Sequence, residues 1–201
     1  MPNDCGQSMS RRSPIPAPLR ATQLRVLVGV LLSLLTAPLF SETYLSEAQA
    51  AKIALPNAAS VDTEIKQLTS AQRESLQGGS RLRFPEAQYK FFVGRDKDGK
   101  PSGYALIMNE IGKEEFITFI VGVSSQGEVG EVAVLDYRET RGSEVKEKRF
   151  LRQFRGKKSS DPIQVNRDVT NYTGATLSAH AIARGVKKAL LLTDLFYLHG
   201  H

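Results

Sequence analysis

The sequence predicts an α+β protein: an antiparallel β-sheet packed with a C-terminal helix, preceded by short N-terminal helices. Four runs rich in β-branched and aromatic residues follow one another between residues 88 and 136 with only short turns between them, the pattern of an antiparallel sheet. The stretch Leu177 to Leu198 repeats its apolar residues at helical spacing. With 201 residues, 41% of them hydrophobic, the chain is long enough for one domain with a core plus appendages, and too short for two full domains.

The first appendage is a leader. Arginines precede an apolar run from Val26 to Leu35 that continues to Phe40, broken by Gly29, Ser33, Thr36 and Pro38, as in the charged and apolar regions of a secretory signal. The run is short and interrupted for a membrane span. Residues 1–41 are therefore read as a signal peptide cleaved after Ala37 or Ser41, or as an uncut signal anchor, and the arginines place the remainder outside the cytoplasm in either case. Four arginines against Asp4 in this leader account for half of the formal charge of +6. The rest is nearly balanced, which argues against a nucleic-acid surface. Cys5, the only cysteine, leaves with a cleaved leader, so thiol redox chemistry and disulfides are excluded from the exported part. His180, His199 and His201 show no metal-ligand spacing.

Residues 42–80 read as an N-terminal helical segment. Ser46 with Gln49 makes a capping box for a helix whose apolar residues are Ala50, Ile53 and Ala54, and Pro56 ends it. A second helical region is expected from Val61 to Leu76, with a break at Thr69-Ser70 and a stop at Gly78-Gly79. Gln88 to Val93 and Gly103 to Met108 then form a hairpin across Asp98-Gly99, and Glu115 to Val123 and Glu128 to Asp136 form the next pair across Ser125-Gln126-Gly127. Val129, Val132, Val134, Phe116 and Phe119 are expected in the core. Tyr137 to Lys158 is dense in charge, yet Phe150, Leu151 and Phe154 recur at helical spacing, which predicts a short basic amphipathic helix ending at Gly156. In the last helix, Ile182, Val186, Ala189, Leu190, Thr193 and Tyr197 form the buried stripe, and Gly200 supplies the stop.

The candidate site is Thr173-Gly174-Ala175-Thr176, where that helix begins. A helix N-terminus presents free N–H groups and a positive dipole end to an anion, and Gly174 and Ala175 keep side chains out of its way. The same residues would also serve as a turn followed by an N-cap.

Several separated stretches together resemble the FMN-binding domain found in the flavin-carrying C subunit of the sodium-pumping NADH:quinone oxidoreductase and in the G subunit of the Rnf complex. They are Gly127-Glu128-Val129, Glu139-Thr140-Arg141-Gly142, Phe150 to Phe154, and Thr173-Gly174-Ala175-Thr176-Leu177-Ser178, in order and at compatible spacing. The resemblance implies an FMN-binding domain over residues 81–201. It implies FMN esterified through its phosphate to Thr176 by a Mg-dependent flavin transferase, with Thr173, Gly174, Ala175, Leu177 and Ser178 around the phosphate and Glu139 and Thr140 near the flavin. Arg141 stands where the family usually has proline, and Thr170 where it usually has an acid; Asp168 is two positions off register. If the transferase needs that acid in place, modification would be slow or absent. Tyr172, beside the motif, and Tyr104 or Tyr137 on the sheet are candidates for stacking on the flavin ring.

An exported electron carrier with covalent FMN, exchanging electrons with membrane or periplasmic redox proteins, is the expected function. The alternative is a non-redox FMN-binding, sensory or structural module without covalent flavin. A stand-alone flavin reductase is disfavoured because the chain has no glycine-rich dinucleotide fingerprint.

Overall fold

The computed structural model describes residues 45–199. The expected leader, its cleavage sites, Cys5, Gly200 and His201 lie outside the described residues. The elements are α1 (Glu47–Ala54), β1 (Ser60–Gln67), α2 (Ser70–Ser80), β2 (Gln88–Arg95), β3 (Pro101–Ile111), β4 (Phe116–Ser124), β5 (Val129–Tyr137), a helical turn α3 (Lys148–Leu151) and α4 (Thr176–Thr193). Short 3-10 turns flank α3, and α4 ends in a π-turn, Asp194–Leu198.

The five strands pair in chain order, each antiparallel to the next, so the architecture is the expected α+β. Successive side chains of a strand point to opposite faces, and here both faces are covered. Phe91, Val93, Leu106, Phe119 and Val121 pack in one core with Ala179, Ile182, Val186 and Leu190 of α4. Their alternate neighbours Phe92, Ala105 and Ile120 pack in a second core with Ala50, Ala51, Ala54 and Leu55 of α1. The central strands are therefore buried in continuous runs where a one-sided sheet would alternate.

Two devices hold α4 flat on the sheet. A Cβ on Gly185 would lie 2.3 Å from Cζ of Phe119, so only glycine lets the helix approach β4 this closely. Glu110 on β3, almost fully buried, accepts from Lys188 Nζ at 2.5 Å and from Arg184 Nε at 3.3 Å. Burying that carboxylate is tolerable because two cations of α4 meet it. At the far end, the Tyr197 hydroxyl donates to Glu64 of β1 at 2.9 Å, and its ring stacks on Tyr104 at 4.2 Å.

Three expectations change. The region from Val61 to Leu76 is not one helix: Ser60–Gln67 is an edge strand paired with β2, and only then does α2 begin, on a Thr69 capping box closed by Gln72. Val61, Thr63 and Ile65 alternate with Asp62, Glu64 and Lys66, a period of two that fits an edge strand, and the charges discourage further pairing. The basic segment after β5 is not one amphipathic helix either. Glu147 adopts extended backbone between the 3-10 turn Ser143–Lys146 and α3, which breaks the helix while Val145, Phe150, Leu151 and Phe154 still reach the core. Phe116, expected in the core beside the buried Phe119, is 59% exposed at the start of β4.

Candidate functional site

Thr176 is the first residue of α4, and its side chain is exposed. No side chain caps this helix, and its first turn contains no acid. The helix N-terminus thus offers unshielded positive potential to an anion. Gly174, at φ +87°, turns the chain into the helix, and the space where a Cβ would stand is open. Ala175 is buried, and its N–H donates to Tyr172 O at 3.0 Å.

The loop after β5 completes the site. Gly142, at φ +84°, sits so close to α4 that a Cβ would meet Ser178 Oγ at 3.0 Å and Ala175 Cα at 3.2 Å. The Tyr137 hydroxyl donates to Arg141 O at 2.5 Å and lies 3.1 Å from the buried Ser178 Oγ, tying this loop to the first turn of the helix. Burial raises the Tyr137 pKa, an effect the Ser178 hydrogen bond only partly offsets, so the phenol stays protonated and can donate.

An open cleft of about 500 Å³ is lined by Lys113, Glu139, Thr140, Arg141, Gly174 and Leu177. It gathers Arg141, Lys113, whose amine pairs with Glu114 at 2.7 Å, the Glu139 carboxylate, and an apolar surface in Leu177, which is 51% exposed. This combination fits FMN: the phosphate needs positive charge and N–H donors, and the ring needs an apolar wall. A hollow of about 610 Å³ beside residues 160–167 and Lys187 is larger. Its Lys187 amine donates to the carbonyls of Ser159 and Asp161, and no residue of the motif lines it.

Glu139 reaches the site through the backbone. Its Oε1 accepts from the N–H groups of Lys113, of Glu114 at 2.9 Å and of Glu115 at 3.2 Å, holding the β3–β4 turn and with it Lys113. Burial alone would raise the Glu139 pKa, but the three N–H donors and the Lys113 charge outweigh it and hold the carboxyl below its ordinary value.

Of the residues expected from sequence, Gly174, Leu177, Glu139 and Thr140 line the cleft; Thr176, Ala175 and Ser178 belong to the same helix start; Thr173 is exposed on the loop leading in. Tyr172 is half-buried with its ring edge-on to Phe150 at 5.8 Å. Tyr104 does not approach the site. It packs on Tyr197 beyond the other end of α4, roughly 30 Å from Thr176 at 1.5 Å per helical residue. Asp168 cannot stand in for the missing acid at Thr170, because it accepts from Ile163 N at 3.1 Å, Gln164 N at 2.7 Å and Lys157 Nζ at 2.8 Å within its own loop. His180 is exposed, and no group of metal-ligating side chains occurs among the described residues. Lys113 was missed: it lies in a hairpin turn some sixty residues before the motif, and no local pattern marks it. Asn171, whose amide Nδ2 donates to Thr176 Oγ1 at 2.8 Å, was missed although it lies within the motif's own loop.

Residues 112–191 match the profile of the FMN-binding domain family, a span that contains the cleft and all of the motif. Over those residues the chain is similar to the FMN-binding domain family. The fold is similar to that of the crystal structure of NqrC from Shewanella oneidensis, with a TM-score of 0.54 and 18% identity over 77% of this chain and 93% of that one. No curated protein matches the chain in sequence. Within the matched span, α4 and the β5–α3 loop supply the candidate site.

Proposed function

We propose that the protein is an exported electron carrier holding FMN through a phosphoester to Thr176. The observation that carries this reading is an exposed threonine hydroxyl at the first position of an uncapped 18-residue helix, within an FMN-binding domain and beside a cleft containing Arg141 and Lys113. The helix start and Arg141 would hold the phosphate, with Lys113 able to join if it leaves Glu114, and Leu177 would offer its side chain to the flavin ring. Thr173, Gly174, Ala175 and Ser178 shape the phosphate end, and Thr140 lines the cleft beside Glu139. Bound FMN supplies the one- and two-electron chemistry, and the phosphoester serves as a tether that keeps a cofactor from being lost outside the cytoplasm.

Attachment requires an activated phosphate. The Thr176 Oγ–P bond forms as the phosphoanhydride bond of a flavin dinucleotide breaks; the hydroxyl proton passes to a base of a Mg-dependent flavin transferase, and a nucleoside monophosphate leaves. Residues 1–41 act as the export signal or anchor, residues 42–80 lead in, and residues 81–201 form the flavin domain at the outer face of the membrane or in the periplasm. Its partners are redox proteins of that compartment. The test is co-expression with a flavin transferase and export, followed by denaturing electrophoresis. A flavin-fluorescent band that disappears in Thr176→Ala and Thr176→Val, and persists in Thr176→Ser, is expected. Fluorescence in Thr176→Ala would refute the attachment site, and a dark wild-type band would favour the module without covalent flavin.

A further inference from the structure

Building on this attachment reading, we infer that Asn171 is a positioning residue that fixes the Thr176 hydroxyl for phosphate transfer. The side-chain amide of Asn171 bridges two points of the motif loop. Its Oδ1 accepts from the Tyr172 N–H at 2.9 Å, and its Nδ2 donates to Thr176 Oγ1 at 2.8 Å. The backbone N–H of Tyr172 can only donate, so the carbonyl end of the amide must face it and the NH2 end must face Thr176. The loop itself is held from outside: Thr170 N–H donates to Gln153 Oε1 at 2.7 Å, and Gln153 Nε2 returns a hydrogen bond to Thr170 O at 3.3 Å. Asn171 is therefore presented by an anchored backbone.

A threonine at a helix start divides its hydroxyl between χ1 rotamers because the hydroxyl can also bond locally. The Asn171 donor selects one of them. It engages one lone pair of Oγ1, leaving the second lone pair for attack on phosphorus and the proton free to leave toward the transferase. The ester oxygen formed can accept the same hydrogen bond, so the contact is compatible with the product. Where the family usually has an acid three residues before the motif, here an amide five residues before Thr176 donates to its oxygen.

The test uses the full chain and two readouts. In the flavin-free, isotope-labelled protein, three-bond couplings to the Thr176 methyl report χ1: one rotamer is expected for the wild type, averaged values for Asn171→Ala, and one rotamer again for the isosteric Asn171→Asp, which can accept from the hydroxyl. In flavinylation by the transferase with a flavin dinucleotide, Asn171→Ala should lower kcat about tenfold, the order of effect lost orientation produces, while KM for the protein changes by less than about twofold. A single Thr176 rotamer or an unchanged kcat in Asn171→Ala would overturn the inference. An increased KM with unchanged kcat would assign Asn171 to loop structure instead. Failure of the attachment reading is separate, since it appears as covalent flavin in Thr176→Ala.

Discussion

At the scale of single residues, the site depends on groups that act through others. Glu139 holds the turn at Lys113 to Glu115 with one carboxylate oxygen. Hydrogen bonds to a charged acceptor contribute about 1.5–3 kcal/mol each in favourable cases, but this carboxylate is partly exposed, so a net loss of about 2 kcal/mol is expected for Glu139→Ala. In a domain of this size that lowers Tm by roughly 4–8 °C. The folded-state pKa of Glu139 is lowered, so the unfolded chain binds its proton more readily. Its stabilisation is fully present above the ordinary glutamate range, near pH 4.3, and is lost as pH falls through the folded value. Thermal melts from pH 7 down to pH 3 should show the wild type and Glu139→Ala converging in acid; a constant difference would contradict the account. The role of Asn171 had a readable signal, a polar side chain within the motif loop. The three-way grip of Glu139 on a turn about 25 residues earlier in the chain had none.

At the scale of elements, α4 is the part that aims Thr176, and its seat on the sheet is set by Gly185. Gly185→Ala puts a methyl group against the ring of Phe119, which is fully buried and cannot swing away. Overpacking of this kind costs about 1–3 kcal/mol, and it displaces the helix whose first residue is the proposed attachment point. A lower Tm together with slower flavinylation is expected; a variant that melts and is modified like the wild type would show that the helix has slack. Sequence periodicity revealed α4 and strands β2 to β5, because long runs with a strong period of 3.6 or 2 state their type directly. It failed at β1 and α3 for different reasons. β1 alternates over only six residues and is followed at once by a capped helix, so the two merged into one helical reading. The segment around α3 has helical spacing of apolar residues, but Glu147 in extended backbone divides it, and nothing in the spacing shows that break.

At the scale of the whole molecule, α4 packs on one face of the sheet and α1 on the other, and the candidate flavin cleft lies at the N-terminal end of α4, open to solvent beside exposed Leu177. Ile111 and Phe116, paired across the start of the turn that presents Lys113, add exposed apolar surface. Such a site suits exchange with a protein partner or a small mediator. Hydride transfer instead requires a nicotinamide held against the ring in near-attack geometry. Stopped-flow mixing of the flavinylated protein should give fast reduction by dithionite or a reduced mediator, and slow, unsaturable reduction by NADH and NADPH. Fast, saturable reduction by either pyridine nucleotide would make the protein a reductase.

The central claim, FMN on Thr176, is tested most directly by peptide mapping of the exported, flavinylated protein. Trypsin releases the peptide from Asp168 to Arg184, in which Thr170, Tyr172, Thr173 and Ser178 compete with Thr176 as hydroxyls. The account predicts that this peptide gains the mass of FMN less one water and that fragmentation places the gain on Thr176. The same gain on Thr173 or Ser178, or an unmodified peptide from a protein that still holds flavin, would contradict it.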